Sequence, residues 1–77
     1  MNERFWENLE GLLIDKGWSW AELARKMFKG QYFYPSEFQR LYQKFRHYRS
    51  HRLMPQTKWV ERIVVVLDID YEDLFRR

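Results

Sequence analysis

Apolar residues recur along this chain at intervals that place them on one face of an α-helix. The first segment with this spacing begins at Phe5 and continues to Asp15. Gly17 follows, and glycine is common just after the end of a helix because it adopts the left-handed conformation without strain. The pattern therefore predicts a first helix over residues 5–15.

A capping signal marks the start of the second helix. The side chain of Ser19 can accept a hydrogen bond from the backbone of Glu22, and that of Glu22 from the backbone of Ser19, which makes a capping box. The apolar spacing then continues from Trp20 to Met27 or Phe28, and Gly30 provides the next stop signal. A second helix is therefore predicted to begin at Trp20 and to end before Gly30.

The third helix is predicted over residues 36–48, with Ser36 and Gln39 in the spacing of another capping box. Arg49 projects onto the apolar side, so we expect the helix to end just before it and residues 50–55 to form a basic connection. One face of this helix is apolar and consists of Phe38, Leu41, Tyr42, Phe45 and Tyr48. The opposite face is polar and consists of Ser36, Arg40, Gln43 and His47.

A fourth helix is predicted from Thr57, acting as its N-cap, to Leu67. The valines at 64–66 are typical of a strand, because β-branched side chains favour extended backbone. Glu61 and Arg62 interrupt the alternation of apolar and polar residues that a half-buried strand would show. A helix is therefore the better interpretation.

A short closing turn is predicted over residues 71–75, with Asp70 as its cap and with Leu74 and Phe75 returning to the core. At 77 residues the chain is near the lower limit for a single core, and it has no cysteine with which to form a disulfide. The sequence therefore predicts an all-α fold, a compact bundle of four to five short helices in one domain that spans residues 1–77.

Positive charge is concentrated between Phe38 and Val60, a stretch that contains no acid. The formal net charge of +3 divides into +6 for this stretch and −3 for the rest of the chain. A charge run of this kind is most often a solvated helix face, so by itself it identifies a cationic surface and no function. The basic residues of the stretch are Arg40, Lys44, Arg46, Arg49, Arg52 and Lys58.

The sequence contains no signal for a membrane span, a metal site or a catalytic site. The acidic start of the chain lacks the features of a signal peptide and residues 63–67 are too few to span a bilayer, so we expect a cytoplasmic protein without membrane contact. His47 and His51 have the spacing of a metal pair but lack a third ligand, so no metal and no cofactor are predicted. No nucleophile stands beside a plausible base, which predicts a non-enzyme with no small-molecule substrate.

Taken in order, the predicted elements resemble the helix-turn-helix domain of the lambda-repressor/Cro type, the XRE-like family. The resemblance covers Phe5 to Phe75, although the stretch from Leu23 to Pro55 is longer than is usual in that family. It rests on Lys16-Gly17, on the Ser19 to Glu22 spacing followed by Leu23-Ala24, on Pro55 before the fourth helix, and on Leu67-Asp68-Ile69-Asp70-Tyr71-Glu72-Asp73-Leu74-Phe75.

The resemblance implies a small, repressor-like transcriptional regulator that binds double-stranded DNA as a homodimer, with helix 36–48 in the major groove. Residues early in that helix would read base edges, namely Ser36, Glu37, Gln39, Arg40, Gln43 and Lys44. Residues at helix ends and in connections would contact phosphates, namely Lys29, Arg46, His47, Arg49, Arg52 and Lys58.

Three consecutive aromatics, Tyr32, Phe33 and Tyr34, suggest an alternative function. If the protein only reads DNA, these side chains should be buried and enlarge the core. If the 31–34 loop docks a protein partner, they should be exposed, because aromatic residues are enriched at protein interfaces. The alternative is a phage or mobile-element protein that keeps the helix-turn-helix scaffold and inhibits a host nucleoprotein, for example a CRISPR effector. We expect at least one of the three aromatics to be buried and another to be available for an interface.

Overall fold

The computed structural model of the protein describes residues 3–76, which form four α-helices and a closing 3₁₀ helix. The all-α prediction is confirmed, and the valines at 64–66 lie in a helix. The α-helices are α1, Glu3–Lys16; α2, Trp20–Met27; α3, Pro35–Ser50; and α4, Thr57–Leu67. The 3₁₀ helix comprises Tyr71–Leu74.

The core is centred on the fully buried ring of Phe45, in the middle of α3. Its centroid lies 5.6 Å from that of Trp6 in α1 and 6.1 Å from that of Trp20 in α2. Trp59 of α4 is 5.9 Å away, and Phe28, just after α2, is 6.2 Å away. Aromatic side chains from all the other α-helices therefore meet α3 on this one face, which fixes the direction of its opposite face.

The start of α2 is as predicted. The backbone N–H of Glu22 donates to the Ser19 hydroxyl at 3.1 Å, and the backbone N–H of Ser19 donates to the Glu22 carboxylate at 3.0 Å. The capping box is therefore confirmed, and α2 begins at Trp20.

The start of α3 differs from the prediction. The helix begins at Pro35, its N-cap is Tyr34, and the Ser36 and Gln39 side chains make no capping bond within residues 3–76. The carboxylate of Glu37 accepts instead, from the backbone N–H groups of Phe33 at 2.7 Å and of Tyr34 at 3.0 Å. Proline suits the first helical position because its φ is already helical and it has no N–H to satisfy, so the helix starts earlier.

The end of α3 also differs, because the helix continues through Arg49 to Ser50. Arg49 lies on the half-buried side as its position predicts, but its guanidinium covers the ring of Trp20, 4.6 Å from the centroid. A cation stacked on an aromatic face is tolerated at a position that would otherwise demand an apolar residue. The helix therefore has no reason to stop before Arg49.

The N-cap of α4 differs from the prediction, whereas Asp70 is the N-cap of the 3₁₀ helix as predicted. Thr57 is the first residue of α4, and Gln56 takes the cap position without a side-chain bond. Asp70 precedes the 3₁₀ helix, and its backbone N–H donates to the carboxylate of Asp73 at 3.1 Å. Leu74 is buried as predicted, whereas Phe75 is partly exposed and packs against Phe5 at a centroid distance of 5.6 Å.

Polar side chains tie the helix ends together across the fold. The indole N–H of Trp6 donates to the backbone oxygen of Leu53 at 2.9 Å and holds the segment after α3 against α1. Asn8 donates to the backbone oxygen of Leu74 at 3.1 Å and holds the 3₁₀ helix against the same helix. Arg62 of α4 donates to the backbone oxygen of Met27, at the end of α2, at 3.3 Å.

The connection between α2 and α3 comprises residues 28–34. It is longer than the turn of about three or four residues that joins the two helices of a helix-turn-helix motif, so that motif stays a prediction. None of the helices within residues 3–76 combines the length and the apolar composition needed to cross a bilayer.

Candidate nucleic-acid interface

The polar face of α3 is an exposed stripe composed of Ser36, Arg40, Gln43 and His47. These residues lie on the side of the helix opposite the buried ring of Phe45, because their positions differ from it by about half a turn. The stripe extends over about 16 Å, at a rise of about 1.5 Å per residue. In the described part of the chain their side chains make no hydrogen bond or ion pair, so their polar groups are available to a ligand.

Five of the six predicted base-reading residues are exposed, namely Ser36, Gln39, Arg40, Gln43 and Lys44. Glu37 is half-buried, and its Oε1 atom accepts both capping bonds at the start of α3. The bonds from the backbone N–H groups of Phe33 and Tyr34, with a smaller contribution from Arg40, hold the pKa of Glu37 below its ordinary value. A base contact by Glu37 would have to use its Oε2 atom.

The predicted phosphate contacts do not form one cluster. Arg46 and His47 are exposed on α3, Lys29 and Arg52 on the connections beside it, and Lys58 at the start of α4. Arg49 is half-buried against Trp20. The ion pair found within residues 3–76 joins Arg76 to Asp73 and involves none of these basic residues. Within residues 3–76 none of them therefore forms an ion pair with a carboxylate.

Residue type alone does not predict that Trp20 contacts Arg49 and so belongs to the candidate site. Trp20 belongs to α2, and its indole orients the guanidinium of Arg49 from α3. The signal in the sequence was an arginine on an apolar helix face, which indicates an aromatic or acidic partner but does not say which.

His47 and His51 stack at the end of α3, with ring centroids 4.2 Å apart. The Nδ1 atom of His51 lies 3.0 Å from the backbone oxygen of His47. Among the described residues there is no group of three His, Cys, Asp or Glu that could hold a metal ion. The pair extends the polar surface at this end of α3.

The aromatic loop before α3 divides into a packed part and an exposed part. Tyr32 is half-buried and its ring lies 5.1 Å from that of Phe38, whereas Phe33 is 94% exposed and Tyr34 is 68% exposed. The carboxylate of Glu37 holds the backbone N–H groups of both exposed residues. Phe33 is therefore a large apolar group presented to solvent from a fixed backbone.

Negative charge lies on a different side of the molecule. The acids of α1 are exposed, and Asn8 holds the acidic closing segment against that helix. Trp6 places the inner face of α1 against Phe45, so the outer faces of α1 and α3 point away from each other. The acids of this side are Glu3, Glu7, Asp15, Glu72 and Asp73, whereas Glu10 lies nearer the end of α3.

Comparison of the chain with protein-family models, with curated proteins and with solved structures finds no significant match.

Proposed function

We propose that this protein binds double-stranded DNA and places the polar stripe of α3 in the major groove, as a small repressor-like transcriptional regulator. The observation that carries the proposal is the exposed stripe itself, which is flanked by basic residues and has side chains free of protein partners within residues 3–76. A helix of about 10–12 Å diameter fits a major groove that is about 12 Å wide.

The residue types of the stripe suit base recognition. The guanidinium of Arg40 can donate two hydrogen bonds to one guanine, and the amide of Gln43 can pair with the edge of adenine. Arg46 lies on the flank of the stripe, where a positive charge would contact phosphate and fix the register without reading sequence. The proposal therefore assigns sequence preference to the stripe and general affinity to its flanks.

Several parts of the proposal follow from the role in DNA binding. A repressor-like regulator would bind a two-fold operator as a homodimer, with half-sites about 34 Å apart. It would act in the cytoplasm and would not be an enzyme. Sedimentation of the protein with and without an operator duplex would test the dimer. A single copy bound to each duplex would contradict it.

The first test is a salt titration of binding to a random duplex, followed by fluorescence anisotropy. Each neutralised phosphate releases counterions, so the logarithm of the association constant should fall linearly as the logarithm of the salt concentration rises. Weak binding at low salt that does not change as salt is added would reject DNA binding.

The second test separates base reading from phosphate contact, using a duplex selected from a random pool. Arg40→Ala should weaken binding to the selected duplex by about 1–3 kcal/mol and relax the preference at one base pair. Arg46→Ala should weaken selected and random duplexes alike. Arg4→Ala removes the same charge from the exposed surface of α1 and should change neither affinity. Equal losses from Arg40→Ala on both duplexes would reject α3 as the reading helix.

The exposed rings of Phe33 and Tyr34 favour a second candidate, a protein-binding module of a phage or mobile element that inhibits a host nucleoprotein such as a CRISPR effector. Phe33→Ser would then abolish inhibition of the target while leaving the fold intact. Inhibition that is unchanged by Phe33→Ser and Tyr34→Ser would exclude the loop as the contact surface.

A further inference from the structure

An open cavity of about 370 Å³ lies where the end of α3 meets α1 and α2. Its floor contains Trp6 and its walls carry donors from α3 and from the turn that follows it. The lining residues are Trp6, Glu10, Trp20, Arg49, Ser50 and Arg52.

Arg49 is oriented in this cavity before any ligand arrives. Its guanidinium lies over the indole of Trp20 at 4.6 Å, and in the described chain its side chain makes no hydrogen bond or ion pair. Stacking occupies the face of the guanidinium and leaves the N–H groups at its edge free to donate. Because the group is already held, little side-chain entropy is lost when it binds an anion.

Arg52 lines the same cavity from a strained backbone. Its φ is 54°, in the left-handed region that favours glycine at the position after a helix C-cap. The turn is closed by the backbone N–H of Leu53, which donates to the oxygen of Tyr48 at 2.9 Å, and by that of Arg52, which donates to the oxygen of Arg49 at 3.2 Å. Strain kept at a non-glycine residue points to a task for its side chain.

We propose that this cavity is a binding site for one phosphodiester group, held by Arg49 and Arg52 with the Ser50 hydroxyl as a third donor. The charge of the lining decides which anion fits. Glu10 is the one acid among the lining residues, so two arginines and one carboxylate leave a single positive charge. A phosphodiester carries one negative charge and would leave the occupied cavity neutral, whereas a phosphate monoester carries nearly two and would leave it with a net negative charge.

The source of the phosphodiester rests on the proposed function, under which it is a DNA backbone phosphate beside the groove that α3 occupies. The test uses the full chain and a set of selected duplexes, each with one phosphate replaced by a neutral methylphosphonate. For the unmodified protein, at least one replacement should weaken binding by roughly tenfold, as expected for the loss of a charged hydrogen-bond acceptor.

The coupling between that phosphate and the cavity is measured with variants. In Arg52→Gly, which relieves the backbone strain, and in Arg49→Lys, which keeps the charge, the same replacement should cost less than about twofold. Arg46→Ala, on the same helix but outside the cavity, should keep the full loss. An undiminished loss in both cavity variants, with salt-dependent DNA binding retained, would overturn the cavity and leave the proposed function standing.

Substitution of Glu10 gives an independent test in which DNA binding is expected to become tighter. Glu10→Gln should tighten DNA binding by a few fold because it removes the acid beside the phosphate. Glu72→Gln removes the same charge from the exposed surface of the 3₁₀ helix, outside the cavity, and should have a smaller effect. Equal effects of the two substitutions would mean that Glu10 acts only through net charge, which contradicts the proposed site.

A final arm needs no DNA. Dimethyl phosphate, a free phosphodiester, is titrated while the indole N–H resonance of Trp20 is followed by NMR at constant ionic strength. A saturable shift that is absent in Arg52→Gly supports the site even if DNA binding fails, and inorganic phosphate should shift the resonance less. If the protein does not bind DNA and dimethyl phosphate produces no shift, the proposal is wrong.

Discussion

Glu37 contributes to the structure through its position three residues after Tyr34. Two capping spacings overlap at the start of α3, one from Ser36 to Gln39 and one from Tyr34 to Glu37, and the second is used. Pro35 was the available signal, because proline favours the first position of a helix and places the cap at the residue before it. The sequence therefore does predict that α3 starts at Pro35, provided that the backbone preference of proline is given more weight than the capping preference of serine.

Replacing Glu37 should make stability depend on pH in a defined direction. The folded pKa of Glu37 lies below its unfolded value, so the native state binds fewer protons and the carboxylate stabilises the fold above the unfolded pKa of about 4.3. That stabilisation is lost as pH falls through the folded pKa. Urea unfolding, followed by tryptophan fluorescence, should show Glu37→Gln less stable than the unmodified protein at pH 7. The difference should shrink below about pH 4.3.

Glu61→Gln is the charge-matched control, because Glu61 is exposed on α4 and takes no part in a cap in the described structure. A difference for Glu37→Gln that stays constant down to the lowest pH measured would contradict the capping role.

Phe33 and Tyr32 should respond differently to the same substitution. Phe33 is 94% exposed, so Phe33→Ser should change the free energy of unfolding by less than about 0.5 kcal/mol. Tyr32 packs on Phe38, so Tyr32→Ser should destabilise the fold, by at least about 1 kcal/mol. Thermal melting of the two variants in parallel makes the comparison. A large loss in Phe33→Ser would mean that the ring is packed in solution.

At the scale of helices, α2 is determined by residues that are close to it in the sequence. Its cap, first residue and buried face all follow from adjacent residues, so the sequence predicts them. The end of α3 does not follow from adjacent residues, because Arg49 is stabilised by Trp20 from another helix. The same holds for Arg62, whose guanidinium satisfies a backbone oxygen at the end of α2 from a position 35 residues away.

The two serines that occupy capping spacings provide a matched pair. Ser19→Ala should cost about 1 kcal/mol, because the hydroxyl accepts a backbone N–H at the start of α2. Ser36→Ala should be nearly neutral or slightly stabilising, because Ser36 is exposed within α3 and alanine has the higher helix propensity. Urea midpoints and slopes measured side by side would decide. Equal costs would show that α3 starts at Ser36 in solution.

At the scale of the whole molecule, the helical spacing predicts which apolar residues are buried, but not which of them contact one another. The helical spacing places Phe45 on the apolar face of α3, yet nothing in the neighbouring sequence indicates that Trp6, Trp20 and Trp59 converge on it. Those contacts depend on the angles between helices, which arise from packing of the complete set of side chains. The candidate site has the same limit: its residue types were predictable, whereas the cavity around Arg49 and Arg52 requires three segments to be assembled.

Because the outer faces of α1 and α3 carry opposite charge and point away from each other, the protein has a permanent electric dipole. In the field of a polyanion such a molecule rotates during diffusional encounter, so α3 would face the duplex before contact is made. Stopped-flow measurements of binding to a DNA duplex should therefore show an association rate constant that falls roughly tenfold or more as salt is raised. The dissociation rate constant of the same complex should change less. Exchanging Glu7 for lysine should weaken this orientation while leaving every residue of α3 in place, so collisions would become less productive although the net positive charge has increased.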